Sequence, residues 1–256
     1  MNTSAKRFSW LQFLGELLIT FGVVCLLFAF YEAYWTNLEA QRNQAEAAQE
    51  LEQRWENPRN RLNPVLGEAM ARLYIPAFGP DYQFAIIEGT GEQELLAGPG
   101  HYEDSEMPGE PGNFAVAGHR VGKGAPFNDL GHLESCDAII VETATTWEIY
   151  RILPMSLDPA VRADEAAPCL PPDIQQRVAN GDYQHVQGRH ITTPDDYNVV
   201  HALPGSDEED PTPEMLPVIT LTTCHPQFSN AERMIIHAVH VRSQDNSTVP
   251  HEMQEA

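Results

Sequence analysis

Val218-Ile219-Thr220-Leu221-Thr222-Thr223-Cys224 is an apolar, β-branched run that ends on a cysteine. Nine residues later Arg233 opens a second run, Met234-Ile235-Ile236-His237-Ala238-Val239-His240-Val241. Residues of this kind fit extended, half-buried backbone, so the segment predicts two strands with Cys224 leaving the first and Arg233 entering the second. Upstream, Phe114-Ala115-Val116-Ala117-Gly118-His119-Arg120 puts His119 at the end of another apolar run. A cysteine, a histidine and an arginine are the parts of a thiol acyl-transfer site. Lone cysteines are usually inert, but one at a strand end followed by a loop is placed to react.

Outward from this segment the chain reads as a series of short strands. Residues 71–76, 84–88, 114–118, 138–143 and 146–153 are β-like, with a Gly/Pro-rich loop at 98–112 and a helical turn within 126–133. Short strands separated by turn signals predict a mainly β domain, closed or nearly closed into a barrel, over residues 70–243. Between 157 and 217 the pattern weakens. A short helix at 173–180, a strand at 197–203 and a mobile acidic loop at 205–213 are expected there. So long a connection is usually functional or disordered. Residues 244–256 read as a disordered tail, and no internal repeat is visible.

The N-terminal end differs in kind. From Trp10 to Trp35 the sequence is apolar over the ~20 residues a bilayer requires, and Trp10, Tyr31, Tyr34 and Trp35 bracket it like interfacial aromatics. Lys6 and Arg7 precede the run, which orients residues 1–9 to the cytoplasm and everything after 35 to the outside. A cleaved signal peptide is the rival, but Tyr31-Glu32-Ala33-Tyr34-Trp35 is a poor cleavage site. Residues 36–69 predict a helical stalk and linker that hold the domain away from the membrane, since 36–55 are rich in Ala, Glu, Gln and Leu.

The formal charge is -22, from 37 acidic and 15 basic residues. Without clustered Lys and Arg, nucleic acid is excluded as a partner. The excess acid reads as a solvated surface, and the run Asp207-Glu208-Glu209-Asp210 lacks the ligand spacing of an EF-hand. His225, His237 and His240 with Cys224 match no closed zinc pattern, so neither a metal nor another cofactor is expected. Of four cysteines, Cys25 lies in the anchor. Cys136 and Cys169 either pair or remain separate thiols, which spacing does not decide.

Thr220-Leu221-Thr222-Thr223-Cys224 resembles the TLxTC signature of sortases, with Gly118-His119 before it and Arg233 after it in the family's order. Similarity to class E sortases extends to the anchor, to Arg72-Leu73-Tyr74-Ile75-Pro76, to Gly98-Pro99-Gly100-His101-Tyr102, to Ala117-Gly118-His119-Arg120, to Ala125-Pro126-Phe127-Asn128 and to His225-Pro226. The resemblance implies an eight-stranded sortase-type β-barrel with short helices, preceded by a transmembrane helix and stalk. It implies His119, Cys224 and Arg233 as catalytic residues, and Tyr74, Thr222 and Thr223 as candidates for contact with substrate, although Tyr74 reads equally as a core or rim tyrosine. The implied activity is transpeptidation at the cell membrane. An LAXTG- or LPXTG-like sorting signal is cut between Thr and Gly, and the surface protein passes to an amine of a peptidoglycan precursor of the lipid II type. A pilin-polymerising enzyme and a non-catalytic binding domain on the same barrel are the alternatives. Two departures from the family pattern are Cys136, which stands before Asp137 where glycine is usual, and a longer stretch from 157 to 193.

Overall fold

The computed structural model describes residues 10–56 and 64–255. The expected cytoplasmic segment 1–9 and the end of the linker, 57–63, lie outside the described residues. One sheet contains nine strands: β1 (Ala69–Tyr74), β2 (Gln83–Glu88), β3 (Gly100–His101), β4 (Gly112–Ala117), β5 (Ala138–Glu142), β6 (Thr146–Ile152), β7 (Arg189–Thr192), β8 (Pro217–His225) and β9 (Glu232–Asp245). The strand order is β6-β5-β1-β2-β3-β4-β8-β9, and the 14-residue β9 also pairs with β6, closing an eight-stranded barrel. β7 is added outside this circuit, along the first half of β9. The barrel predicted from the strand series is therefore present.

Strand alternation builds the barrel interior. Phe114 and Val116 of β4, Ile219 and Leu221 of β8, and Met234, Ile236 and Ala238 of β9 join one buried cluster with Leu73, Ile86, Ile139, Val141 and Tyr150. The residues between them in sequence face outward, because successive side chains on a strand point to opposite faces. This simple parity decides which residues are available for chemistry.

The weakly patterned stretch is folded. Beyond the short α2 (Glu92–Ala97), helices α3 (Pro159–Ala166) and α4 (Pro172–Asn180) pack with Leu153, Val218 and Val239 in a second cluster outside the barrel. Asp158 caps α3 by accepting from the backbone N–H groups of Ala160 and Val161. Arg162 is fully buried, and its guanidinium donates five hydrogen bonds to the carbonyls of Pro154, Ser156, Val178, Tyr183 and Val186, at 2.6–3.3 Å. Cys136 and Cys169 are joined in a disulfide. Cys136 has φ 74°, a left-handed conformation that glycine adopts freely, which accounts for the glycine usual at this point in the family pattern.

Three expectations are corrected. Residues 197–200 form a 3₁₀ turn rather than a strand, because Val199 and Ala202 bury their side chains over the outer face of the sheet without joining it. Of the expected disordered tail 244–256, the described residues 244–255 are folded: β9 continues to Asp245, and a 3₁₀ turn (His251–Gln254) folds back. There Glu252 is buried and paired with Arg242 at 2.6 Å, and Met253 packs beside Tyr74 and Trp147. Nor does the second half of the first helix hold the barrel at a distance. Helix α1 (Trp10–Glu56) is continuous, and Ala40, Ala47 and Leu51 are buried on one of its faces. β3 pairs with β2 only at Ile87 and Glu88, which leaves the Ala85 backbone short of partners. Gln44 of α1 meets that need: its amide oxygen accepts from the Ala85 N–H at 2.9 Å and its amide nitrogen donates to the Ala85 and Ala97 carbonyls.

Candidate active site

β4 and β8 run parallel, with Ala117 opposite Thr222. Gly118 N–H extends the ladder to the Thr222 carbonyl at 3.0 Å, so His119, two residues past Ala117, arrives level with Cys224. On the other side of β8, Cys224 is directly opposite Arg233 of β9. The three expected catalytic residues thus come from three adjacent strands at one end of the barrel. Neighbouring strands lie ~4.8 Å apart, so their backbones stand side by side. Parity sends all three outward: Phe114 and Val116, Ile219 and Leu221, and Met234 and Ile236 point inward, leaving His119, Cys224 and Arg233 on the opposite face.

Cys224 is partly exposed, and its thiol donates to Asn230 Oδ1 at 3.3 Å. His119 is held by its backbone, whose carbonyl accepts from Phe127 N–H at 3.0 Å. Its Nε2 is buried without a partner, an uncommitted proton acceptor. Burial lowers the His119 pKa, the Lys123 charge lowers it further, and Glu92 opposes both. The neutral imidazole is favoured, and the imidazolium is reached at lower pH. Lys123→Met removes one of the two depressing causes. We expect the His119 pKa to rise, so that the imidazolium survives to higher pH, read as a shift in the ring-proton NMR titration; a titration that does not move would assign the depression to burial alone.

Arg233 is oriented by the strand entry, donating Nη1 to the carbonyls of Glu232 and Asn230 at 3.0 and 3.4 Å. Sequence reasoning missed Arg120, whose Nη1 donates to the Cys224 carbonyl at 3.3 Å and contacts His225 Nδ1 at 2.5 Å. Its position directly after His119 was the available signal. Asn230, the thiol's partner, carried none, since nothing in a loop sequence tells which amide turns back on the strand end. Gln227 donates to Asn128 Oδ1 at 2.7 Å, tying the loop after Cys224 to the loop after His119.

The expected substrate contacts fare differently. Thr223 points into the barrel and donates to the Gly118 carbonyl at 2.7 Å, so it fixes the backbone just before His119. Thr222 is also buried, with its hydroxyl bonded to Tyr102 Oη at 2.9 Å. Tyr74 lies on the outer face of β1 against Trp147, its hydroxyl donating to Glu142 at 2.8 Å. Burial and desolvation raise its pKa to about 12, so it is a neutral donor. All three have hydroxyls bonded within the protein. Gly118 is required by space: a Cβ there would meet the Phe127 ring, with Cε2 at 2.7 Å. The α3–α4 pair packs near Val218, at the far end of β8 from Cys224, so the long stretch borders the site only through β7, where Thr192 is opposite Arg233.

The family model described as the Sortase domain matches residues 73–241, from the end of β1 into the second half of β9. The chain belongs to the sortase family. It is 31% identical over 232 residues to Sortase SrtE1 of Streptomyces coelicolor, covering 87% of this chain and 55% of that protein. The chain thus spans about half the length of the curated relatives it matches. Among solved structures it is similar to the SrtF sortase from Corynebacterium diphtheriae, at 55% identity and a TM-score of 0.76, covering 78% of this chain and 98% of that one. It is also similar to Sortase E1 from Streptomyces coelicolor with a tripeptide in the active site, at 26% identity and a TM-score of 0.54, covering 75% and 99%. The class E resemblance read from the motifs agrees with these relatives.

Proposed function

We propose that this sortase is a cysteine transpeptidase that cuts an LAXTG- or LPXTG-like sorting signal between Thr and Gly and transfers the surface protein to an amine of a peptidoglycan precursor. The observation that carries it is the alignment of His119, Cys224 and Arg233 on one outer face across three neighbouring strands. The Cys224 thiolate adds to the Thr carbonyl, and the fork of Arg233 donates to the oxyanion that forms. His119, as imidazolium, gives its proton to the departing glycine amine, and the C–N bond breaks to leave a thioester. The neutral imidazole then takes a proton from the incoming amine as it attacks, and the thiolate leaves. The resemblance supplies the signal and the acceptor; relatives of the SrtE type support the class.

The exposed apolar stretch at the start of α1, long enough to cross a membrane, supports a single-pass anchor with the barrel outside the cytoplasm. Mass spectrometry of the chain incubated with an LAXTG peptide tests the reaction. A thioester adduct on Cys224 that is discharged by an added amine is expected; hydrolysis alone, or no adduct, would sink transpeptidation. Arg233→Lys keeps the charge but loses the planar fork. We expect kcat/KM to fall about 10²-fold or more, as on removal of an oxyanion donor. Near-normal turnover of that variant would reduce Arg233 to a general positive charge.

A further inference from the structure

The loops that follow His119 and Cys224 sit beside α1 where it changes character. Before residue 32 the helix exposes a continuous apolar surface, including Leu26, Leu27, Phe28 and Phe30; from Ala40 onward one face is buried on the barrel. The changeover lies against the loop that follows His119. Gly124 N–H donates to Asn37 Oδ1 at 3.1 Å, and Ala40 packs under Gly124. A cleft of about 500 Å³ there is lined by Ala29, Thr36, Asn37, Val121, Lys123 and Phe228.

Phe228, four residues after Cys224, is 89% exposed and has φ 63°. A phenylalanine in the left-handed region is uncommon, and this one gains no packing inside the protein in return. It shares a cleft with Ala29, which lies about 9 Å along the helix before Trp35. Phe228 therefore stands at the depth where the apolar run gives way to interfacial aromatics. Beside it is Lys123, the sole lysine besides Lys6 in a chain of charge -22. An apolar tip with a cation next to it, continuous with an exposed apolar helix, has the make-up of a bilayer interface contact.

We propose that Val121, Lys123 and Phe228 seat the catalytic end of the barrel on the outer leaflet of the membrane that α1 spans, with Phe228 inserted at the headgroup–acyl boundary and Lys123 over lipid phosphates. The proposal rests on the anchored reading of α1. It commits to the bilayer as the occupant because α1 itself leads into it at this point. The Cys224 thiol then lies close to the membrane surface, where a lipid-borne amine reaches the thioester by lateral diffusion.

The test uses the full chain in unilamellar vesicles of equal phosphatidylcholine and phosphatidylglycerol, in a Cys25→Ser, Cys224→Ala background. An environment-sensitive fluorophore is attached in turn to Ala29→Cys, Phe228→Cys and Glu214→Cys. Glu214 is exposed at the opposite end of β8, and Phe228 is exposed enough that its replacement leaves the core untouched. We expect the label at 228 to be blue-shifted and quenched by doxyl lipids about threefold more than the label at 214, approaching the label at 29. A label at 228 that behaves like that at 214 while 29 is quenched overturns the seating and leaves the anchor intact. A label at 29 that behaves like that at 214 overturns the anchor, and the seating with it.

Discussion

Cys224→Ala is expected to lower turnover by more than about 10⁴-fold, to the floor of a peptide-cleavage assay, and to eliminate the thioester adduct. The thiol's hydrogen-bond partner is an exposed loop amide, and the residue is only partly buried. Its removal opens no core cavity, so stability should stay within about 0.5 kcal/mol of the parent. That separation of activity from stability is the point of the experiment. Cys136 and Cys169 are bonded to one another and Cys25 lies in the apolar part of α1, so no other thiol is placed to substitute. Residual turnover, or an adduct elsewhere in the Cys224→Ala chain, would refute the assignment of the nucleophile.

Arg162→Leu is expected to have the largest effect on stability. The side chain is 0% exposed and spends all five donors on carbonyls from the segment before α3, from α4 and from the turn after it. Leucine fills much of the volume but leaves those carbonyls without the guanidinium. Each buried group left unsatisfied costs about 1–3 kcal/mol. Because neighbours relax and the losses are not additive, a net loss of about 4 kcal/mol is a reasonable expectation. That lowers Tm by about 8–16 °C for a domain of this size. The measurement is thermal unfolding of the two proteins side by side; a decrease of under about 2 °C would show that the five bonds exchange with water at little cost. The catalytic end is remote from α3, so peptide cleavage below the melting range should change little.

The parts of the molecule legible in the sequence are those governed by simple alternation. β4, β8 and β9 are apolar inside and end on chemically distinctive residues, so both the strands and the set His119, Cys224 and Arg233 could be placed before the structure. β3 could not, because its two residues sit in a Gly/Pro-rich loop and owe their conformation to β2 and β4 rather than to their own propensity. β7 is short and polar and exists because β9 offers a free edge. Residues 197–203 carry a strand-like composition, yet their apolar side chains are satisfied by covering the sheet. The terminal 3₁₀ turn is held by Arg242, which no local pattern in 244–256 announces. Thr222 and Thr223 show the same limit within the site. Belonging to the signature suggested contact with substrate; the sequence did not show that their hydroxyls bond to Tyr102 Oη and the Gly118 carbonyl.

The parallel β4–β8 pair has a consequence for how the enzyme comes into being. Thr223 and Gly118, which hold the strand of Cys224 to the backbone that leads into His119, are 105 residues apart in the chain. β8 lies between β4 and β9, and β9 also completes the ring with β6. Contacts of such long range form late, since the entropy of closing the intervening loop must be met before they stabilise anything. An unfinished polypeptide that ends before β8 has a histidine without its sulfur, and one that ends before β9 has a sulfur without its arginine or a closed barrel. Assembly of the proposed site is thereby coupled to completion of the barrel, and a half-made molecule does not yet hold His119, Cys224 and Arg233 side by side.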